Sequence, residues 1–212
     1  AMLLSACGGD KAADSGSSAP ADSSAPADTS TPSDSGASGI SEDTNTVAVG
    51  AVVIARDDVP EDDIYAFVSA IFENTAAISE QHDKGKELDL DFAASVTSVP
   101  YHPGAAKYFA EKGKNVAVKD GAGTGESKAL TFGTGSESGT YYAFGGVLSS
   151  YVSNNTSVSV TTVTSGGSKA NIEDLAAGNV QLAFVQSDVM SYGYNGERLF
   201  DSAVTGFSTV AA

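Results

Sequence analysis

The chain has 212 residues, 41% of them hydrophobic, with 27 acidic against 11 basic side chains and a formal net charge of −16. That length supports one globular core with a tail, and the charge argues against a nucleic-acid partner, since the few basic residues form no block to offset phosphate repulsion. The single cysteine, Cys7, excludes an intrachain disulfide, and no stretch is long and apolar enough to span a membrane as a helix.

Leu4-Ser-Ala-Cys7 resembles a bacterial lipobox, whose cysteine is lipidated and becomes the mature N-terminus. The basic region and most of the apolar region of a signal peptide are missing upstream of it. From Gly8 to Gly39 the chain is almost wholly Ser, Ala, Pro, Asp, Gly and Thr. Nothing there can offset the entropy of ordering, so a disordered spacer is expected. Residues 1–43 thus read as a tether holding a domain at the outer face of a bacterial membrane.

Val47–Ala55 reads as a buried strand. Asp58, Pro60 and Glu61 make a helix start with Asp58 as N-cap. Ile64, Phe67, Val68, Ile71 and Phe72 then form an apolar stripe that predicts one amphipathic helix from Glu61 to about Glu80. Gln81–Glu87 is a polar turn, and Leu88–Phe92 is short and ambiguous. After the breaker cluster Pro100–Gly104, a short helix is expected over Ala105–Lys112. His102 could be a ligand or a base, but no cysteine or second nearby histidine supports a metal, and a capping or packing role is the favoured reading. Asn115–Lys128 contains Gly-Ala-Gly-Thr-Gly-Glu-Ser-Lys, which resembles a phosphate loop without its Gly-Lys-Ser/Thr ending. It reads as a linker.

Thr131–Gly146 is the most informative stretch. An apolar run enters it, and Gly133, Gly135 and Gly139 let the backbone turn. Tyr141, Phe144, Leu148 and Tyr151 then recur at helical spacing. A glycine turn feeding a helix start presents free N–H groups and a positive dipole end to an anion. The plainer alternative is that Gly133, Gly139, Gly145 and Gly146 permit turns and close packing, with Tyr142 and Phe144 in the core. A strand over Ser157–Val163, the turn Thr164-Ser-Gly-Gly-Ser168, a helix marked by Ile172, Leu175 and Ala176, and a strand over Val180–Val185 follow. Alternation of this kind predicts a parallel sheet whose strand C-ends gather three loops on one edge, where α/β sheets bind ligands.

Four pieces of this half resemble, in order and spacing, the N-terminal lobe of solute-binding proteins of TAXI-type TRAP transporters. They are Gly133-Thr-Gly-x-x-x-Gly139-x-Tyr-Tyr142 with Gly145-Gly146, Thr164-Ser-Gly-Gly-Ser168 with Asn171, Gln186-Ser-Asp188, and Tyr194-Asn-Gly196. The stretch from Thr46 to Gly113 is similar to that family's C-terminal end, through Asp58-Val-Pro-Glu-Asp62, Ile71-Phe-Glu-Asn74 and His102-Pro-Gly-Ala-Ala-Lys-Tyr108. The family's C-terminal part therefore precedes its N-terminal part.

The resemblance implies an α/β, type II periplasmic-binding-protein-like lobe with a mostly parallel sheet flanked by helices, circularly permuted behind a disordered tail. Residues 44–114 and 129–212 would be its two pieces, joined through 115–128, with the second lobe largely missing. An engineered deletion, a misassembled reading frame and a longer protein are the other accounts of that order. The implied function is capture of a small organic acid or amino acid, such as glutamate, for delivery to TRAP membrane subunits. The lipid anchor is at Cys7, and no cofactor or metal takes part. Contact candidates carried over are Gly135, Ser136, Thr140 and Tyr141 from the first loop, Ser165, Gly167 and Ser168 from the second, and Gln186 and Asp188 from the third. Ser168 and Asp188 could equally be helix N-caps.

Two other classes compete. A serine hydrolase is disfavoured, because Gly135-Ser-Glu-Ser-Gly139 does not satisfy Gly-x-Ser-x-Gly and both histidines, His82 and His102, lie outside the glycine-loop unit. A lipid-anchored interaction module or incomplete lobe that binds no solute is the alternative to capture.

Overall fold

The computed structural model describes residues 49–126 and 129–212. The spacer and Cys7 lie outside the described residues. Five strands form one sheet in the order β3-β2-β4-β1-β5: β1 Ala51–Arg56, β2 Leu130–Gly133, β3 Val160–Val163, β4 Leu182–Gln186 and β5 Phe207–Ala211. β2 runs parallel to β3 and β4, while β1 is antiparallel to both of its neighbours, β4 and β5. Four strands therefore point one way and β1 points the other.

The strand from the first half of the chain lies between two from the second. β5 is held to the sheet through β1, with Ile54 opposite Thr209 and Arg56 opposite Phe207. Neither half could build this sheet alone. Both faces of the sheet are covered, so its central strands are apolar on both sides instead of alternating. Val53, Ala55, Leu182 and Phe184 face one layer of helices, and Val52, Ile54, Ala183 and Val185 face the other.

The first layer holds α1 (Glu61–Phe72), α2 (Thr75–Gln81), α4 (Pro103–Glu111) and α5 (Thr140–Asn155), with a short α3 (Leu90–Ala93) beside them. The second holds α6 (Ser168–Ala177) and α7 (Ser187–Asn195). The single helix expected from Glu61 is two. Asn74 ends α1 by turning its amide back onto the Ala70 carbonyl at 2.9 Å and starts α2, a local hydrogen bond that competes with helix continuation. Asp58 does not cap α1. Its carboxylate pairs with Arg56 at 2.5 Å, and the Glu61 N–H donates instead to the Gly123 carbonyl.

The ambiguous Leu88–Phe92 stretch contains α3, capped by Asp89 accepting from the Phe92 N–H at 2.8 Å. His102 is the N-cap of α4. Its Nδ1 accepts from the Gly104 N–H, and its Nε2 lies 2.9 Å from the Val59 carbonyl. With Nδ1 accepting, Nε2 carries the proton and donates, which is the neutral ring. The segment 115–126 packs against the first half of the chain. The Tyr101 N–H donates to the Ala117 carbonyl and the Lys119 N–H donates to the Tyr101 carbonyl, and Gly125 lies so near the Asp58 carbonyl that a Cβ there would collide.

Candidate functional site

β2 leads through α5, on one face, to β3. β3 leads through α6, on the other face, back past β2 to β4. The chain thus reverses direction between β2 and β4, and the loops leaving these two strands separate to opposite faces. Such a crevice is where open α/β sheets take ligands.

The loops are tied together there. The Ser165 N–H donates to the Gly135 carbonyl at 2.9 Å, joining the loop after β3 to the glycine loop. The Gln186 N–H donates to the Ser168 hydroxyl at 3.0 Å, joining the start of α6 to the end of β4. The Ser187 N–H donates to the Gly50 carbonyl at 2.9 Å, bringing in the chain just before β1. Beneath them sits Asn171, fully buried. Its amide donates to the Thr134 carbonyl at 2.8 Å and the Phe184 carbonyl at 2.6 Å, and lies 3.4 Å from the Gly133 carbonyl. Asn171 therefore bridges the ends of β2 and β4 where their own ladder stops. A Cβ on Gly133 would stand 3.0 Å from Asn171 Oδ1, so glycine fits a close approach there.

The carried-over residues fall into three groups. Ser136 and Thr140 are exposed, and no side-chain hydrogen bond engages either among the described residues. The N-cap of α5 is Gly139, which offers no side-chain acceptor. The Thr140, Tyr141 and Tyr142 N–H groups therefore have no backbone partner among the described residues. Tyr141 stacks on Phe184 with ring centroids 4.9 Å apart, and burial, with Asp188 nearby, raises its pKa above the ordinary phenol value. Ser165, Gly167 and Ser168 spend groups on the loop itself: the Ser165 hydroxyl accepts from the Gly167 N–H at 3.1 Å, and the Ser168 hydroxyl from Gln186. Ser168 is not a cap; Gly167, at φ +91°, holds that position. Nor is Asp188, because Gln186 precedes α7 and Asp188 accepts only from the Val189 N–H. Gly135 is buried, 3.6 Å from Tyr141 Cβ at the point where its own Cβ would stand. The close-packing alternative holds for Gly145, where a Cβ would meet the Thr134 methyl at 2.6 Å, and not for Gly146, which faces open space.

A cavity of about 570 Å³ opens beside this crevice. Thr140, Tyr141 and Gln186 belong to both the crevice and the cavity. Phe184, Val53 and Val210 form its floor, α1 and α5 its walls, and the stretch Lys84–Phe92 its far side. That far side has no local signal in the sequence: Leu88 and Phe92 belong to a short ambiguous run, separated along the chain from the glycine loop they face across the cavity.

Loops at a topological reversal, a helix start whose first N–H groups have no partner among the described residues and an adjacent cavity lie together in a lobe of periplasmic-binding-protein-like architecture. The chain belongs to the NMT1-like family, whose profile matches residues 27–113 and 132–212. That family is periplasmic-binding-protein-like and related to solute-binding proteins, generally non-enzymatic, and it places the chain's work outside the cytoplasm. Residues 114–131, between the two matched pieces, include the whole of the stretch 115–128 read as a linker. No helix among the described residues is long and apolar enough to cross a membrane.

Proposed function

We propose that the protein is the extracytoplasmic solute-binding component of a TAXI-type TRAP transporter, tethered through a lipid on Cys7, and that it hands a small carboxylate or amino acid to membrane subunits. The observation that carries this reading is the start of α5. Three N–H groups without a partner among the described residues, and the positive end of a 16-residue helix, face the reversal between β2 and β4. That combination stabilises a carboxylate without a cationic side chain. Ser136 and Thr140 supply hydroxyls, Tyr141 a ring and a phenol, and Gln186 and Asp188 acceptors for an ammonium or hydroxyl group. Gly135, Ser165, Gly167 and Ser168 hold the loops at the spacing the ligand needs. The insertion of β1 between β4 and β5 supports a single lobe assembled from 44–114 and 129–212 in permuted order.

The test is thermal unfolding of the full chain against a panel of small carboxylates and amino acids. A ligand at one hundred times its dissociation constant adds about 2.7 kcal/mol, enough to move the midpoint by several degrees. No shift across the panel would overturn capture in favour of a module that binds no solute. Gly135→Val, whose methyls would crowd Tyr141, is expected to abolish the shift while leaving the fold intact.

A further inference from the structure

The chemistry of the cavity says more about the solute than the loops do. Its walls and floor are carbon. Phe67 and Phe72 come from α1, Phe144 and Leu148 from α5, and Phe184 from β4. Phe67 and Phe184 both pack on Phe132, and Phe144 lies parallel to Phe184 at 6.3 Å, so the aromatic surface is fixed by the core behind it. About 570 Å³ is within the range of roughly 300–1,000 Å³ that encloses a small organic ligand.

Polar groups in the lining are confined to two places. Thr140, Tyr141 and Gln186 stand at the reversal, next to the unpaired N–H groups of α5. Across from them, Lys84 is bound to Glu87 at 2.6 Å. Among the described residues that lysine is the lone basic side chain lining the cavity, and its charge is already matched by Glu87. A second anionic group carried into the cavity would lose its water and meet no free cation among the described residues.

We propose that this lobe takes a monocarboxylate with an apolar body, aromatic or branched aliphatic, and discriminates against dicarboxylates such as glutamate. The carboxylate sits at the start of α5, and the body fills the cavity against Phe72, Phe144 and Phe184. This rests on the capture reading and narrows it. Phe92, 51% exposed, stands at the border of the cavity over Gly50, where a Cβ would meet its ring at 3.2 Å. Gly50 leaves room for that ring, so a larger side chain there would push into the cavity mouth.

The experiment is calorimetric titration of the full chain with acetate, 3-methylbutanoate, 4-methylpentanoate, phenylacetate and 3-phenylpropanoate, alongside glutamate and succinate. Affinity should rise about fourfold per added methylene, the factor that corresponds to burying one such group. Glutamate and succinate should bind at least tenfold more weakly than phenylacetate. Gly50→Leu should cost the phenyl acids at least tenfold and leave acetate unchanged. Tight glutamate or succinate binding with no gain along the apolar series would overturn the apolar-body assignment and leave solute capture standing. Equal affinity for phenylacetate and its uncharged amide would overturn the carboxylate position. Silence from every acid would overturn both readings together. Because the series is measured on the unaltered protein, the assignment is decided even if Gly50→Leu fails to fold.

Discussion

The two ends of the sheet are built on opposite terms. At the far end, where β1 finishes and β5 begins, polar groups answer one another. Asp57 accepts from Ser208 at 2.8 Å, Lys119 reaches the Tyr194 hydroxyl at 2.7 Å and the Thr205 carbonyl at 2.9 Å, and Arg56 pairs with Asp58. At the loop end, Ser136 and Thr140 have no side-chain partner among the described residues, and three N–H groups at the start of α5 have no backbone partner. The same sheet carries both, so the difference is not one of general exposure. Saturated polar groups hold the fold; unsaturated ones at a topological reversal are available to a ligand. Perturbing the far end should therefore leave binding unchanged, whatever it does to stability, and perturbing the loop end should change binding.

The largest expected effect is at the far end. His102 is fully buried, and burial lowers its pKa from 6.5 to about 4. In the unfolded chain the imidazole takes a proton near pH 6.5, whereas in the folded chain it stays neutral until about pH 4. As pH falls through that window the unfolded state alone gains a proton, so stability drops. The interval corresponds to about 3 kcal/mol. Urea denaturation at pH 7, 5.5 and 4 should show a steeper loss for the parent chain than for His102→Gln. Carboxylate titration affects both alike, so parallel slopes would remove the histidine from the account.

Next in size is Asn171→Leu, which leaves the Thr134 and Phe184 carbonyls buried without their donor and should cost about 2–3 kcal/mol. This residue sharpens the contrast, because its amide N–H groups are fully engaged directly beneath the loops, while its buried Oδ1 has no partner among the described residues. If its role is to hold the ends of β2 and β4 apart, the variant should lose solute affinity as well as stability. A stable variant with unaltered titrations would show that the loops position themselves.

What the residues announced, and what they did not, follows the range of the interactions. α5, α6 and β4 were legible because glycine turns, apolar periodicity and the Gly178 stop are local signals. The break at Asn74 was not, because the stripe from Ile64 to Phe72 is continuous and the competing bond is a side chain folding back on its own helix. β5 went unread since Phe207–Ala211 has neither strict alternation nor a long apolar run. Its strand state depends on β1, more than 150 positions earlier. The place of β1 between β4 and β5 is likewise a tertiary fact. The site divides in the same way. The glycine loop and its partners were visible as motifs, but the cavity's far side comes from Leu88 and Phe92, whose neighbours there are supplied by the fold.

Ser168→Ala is a smaller perturbation at the loop end. It removes the acceptor for the Gln186 N–H, costing about 1 kcal/mol, and frees the start of α6 from the end of β4. Solute affinity should fall through a looser loop, with a partial rescue in Ser168→Thr, which keeps the hydroxyl. Thermal midpoints and titrations on both variants check this, and a threonine variant as weak as the alanine one would count against the tie.

The smallest expected change in stability comes from a matched pair, one variant at each end. Thr140→Val replaces an exposed hydroxyl that has no partner among the described residues, so the unfolding free energy should move by no more than about 0.5 kcal/mol. Asp57→Asn acts where burial raises the carboxyl pKa against the opposing pull of Ser208 and Lys119. A raised folded value means that the carboxylate form disfavours the fold. Its contribution is greatest below the unfolded value and is lost as pH rises through the folded one. The asparagine variant should therefore be no less stable than the parent at pH 7, and relatively less favoured as pH falls. Binding separates the two: Thr140→Val should weaken the solute several-fold, whereas Asp57→Asn, at the opposite end, should leave it unchanged. If both variants bind alike, unpaired polar groups do not mark the site, and the contrast between the two ends of the sheet carries no functional meaning.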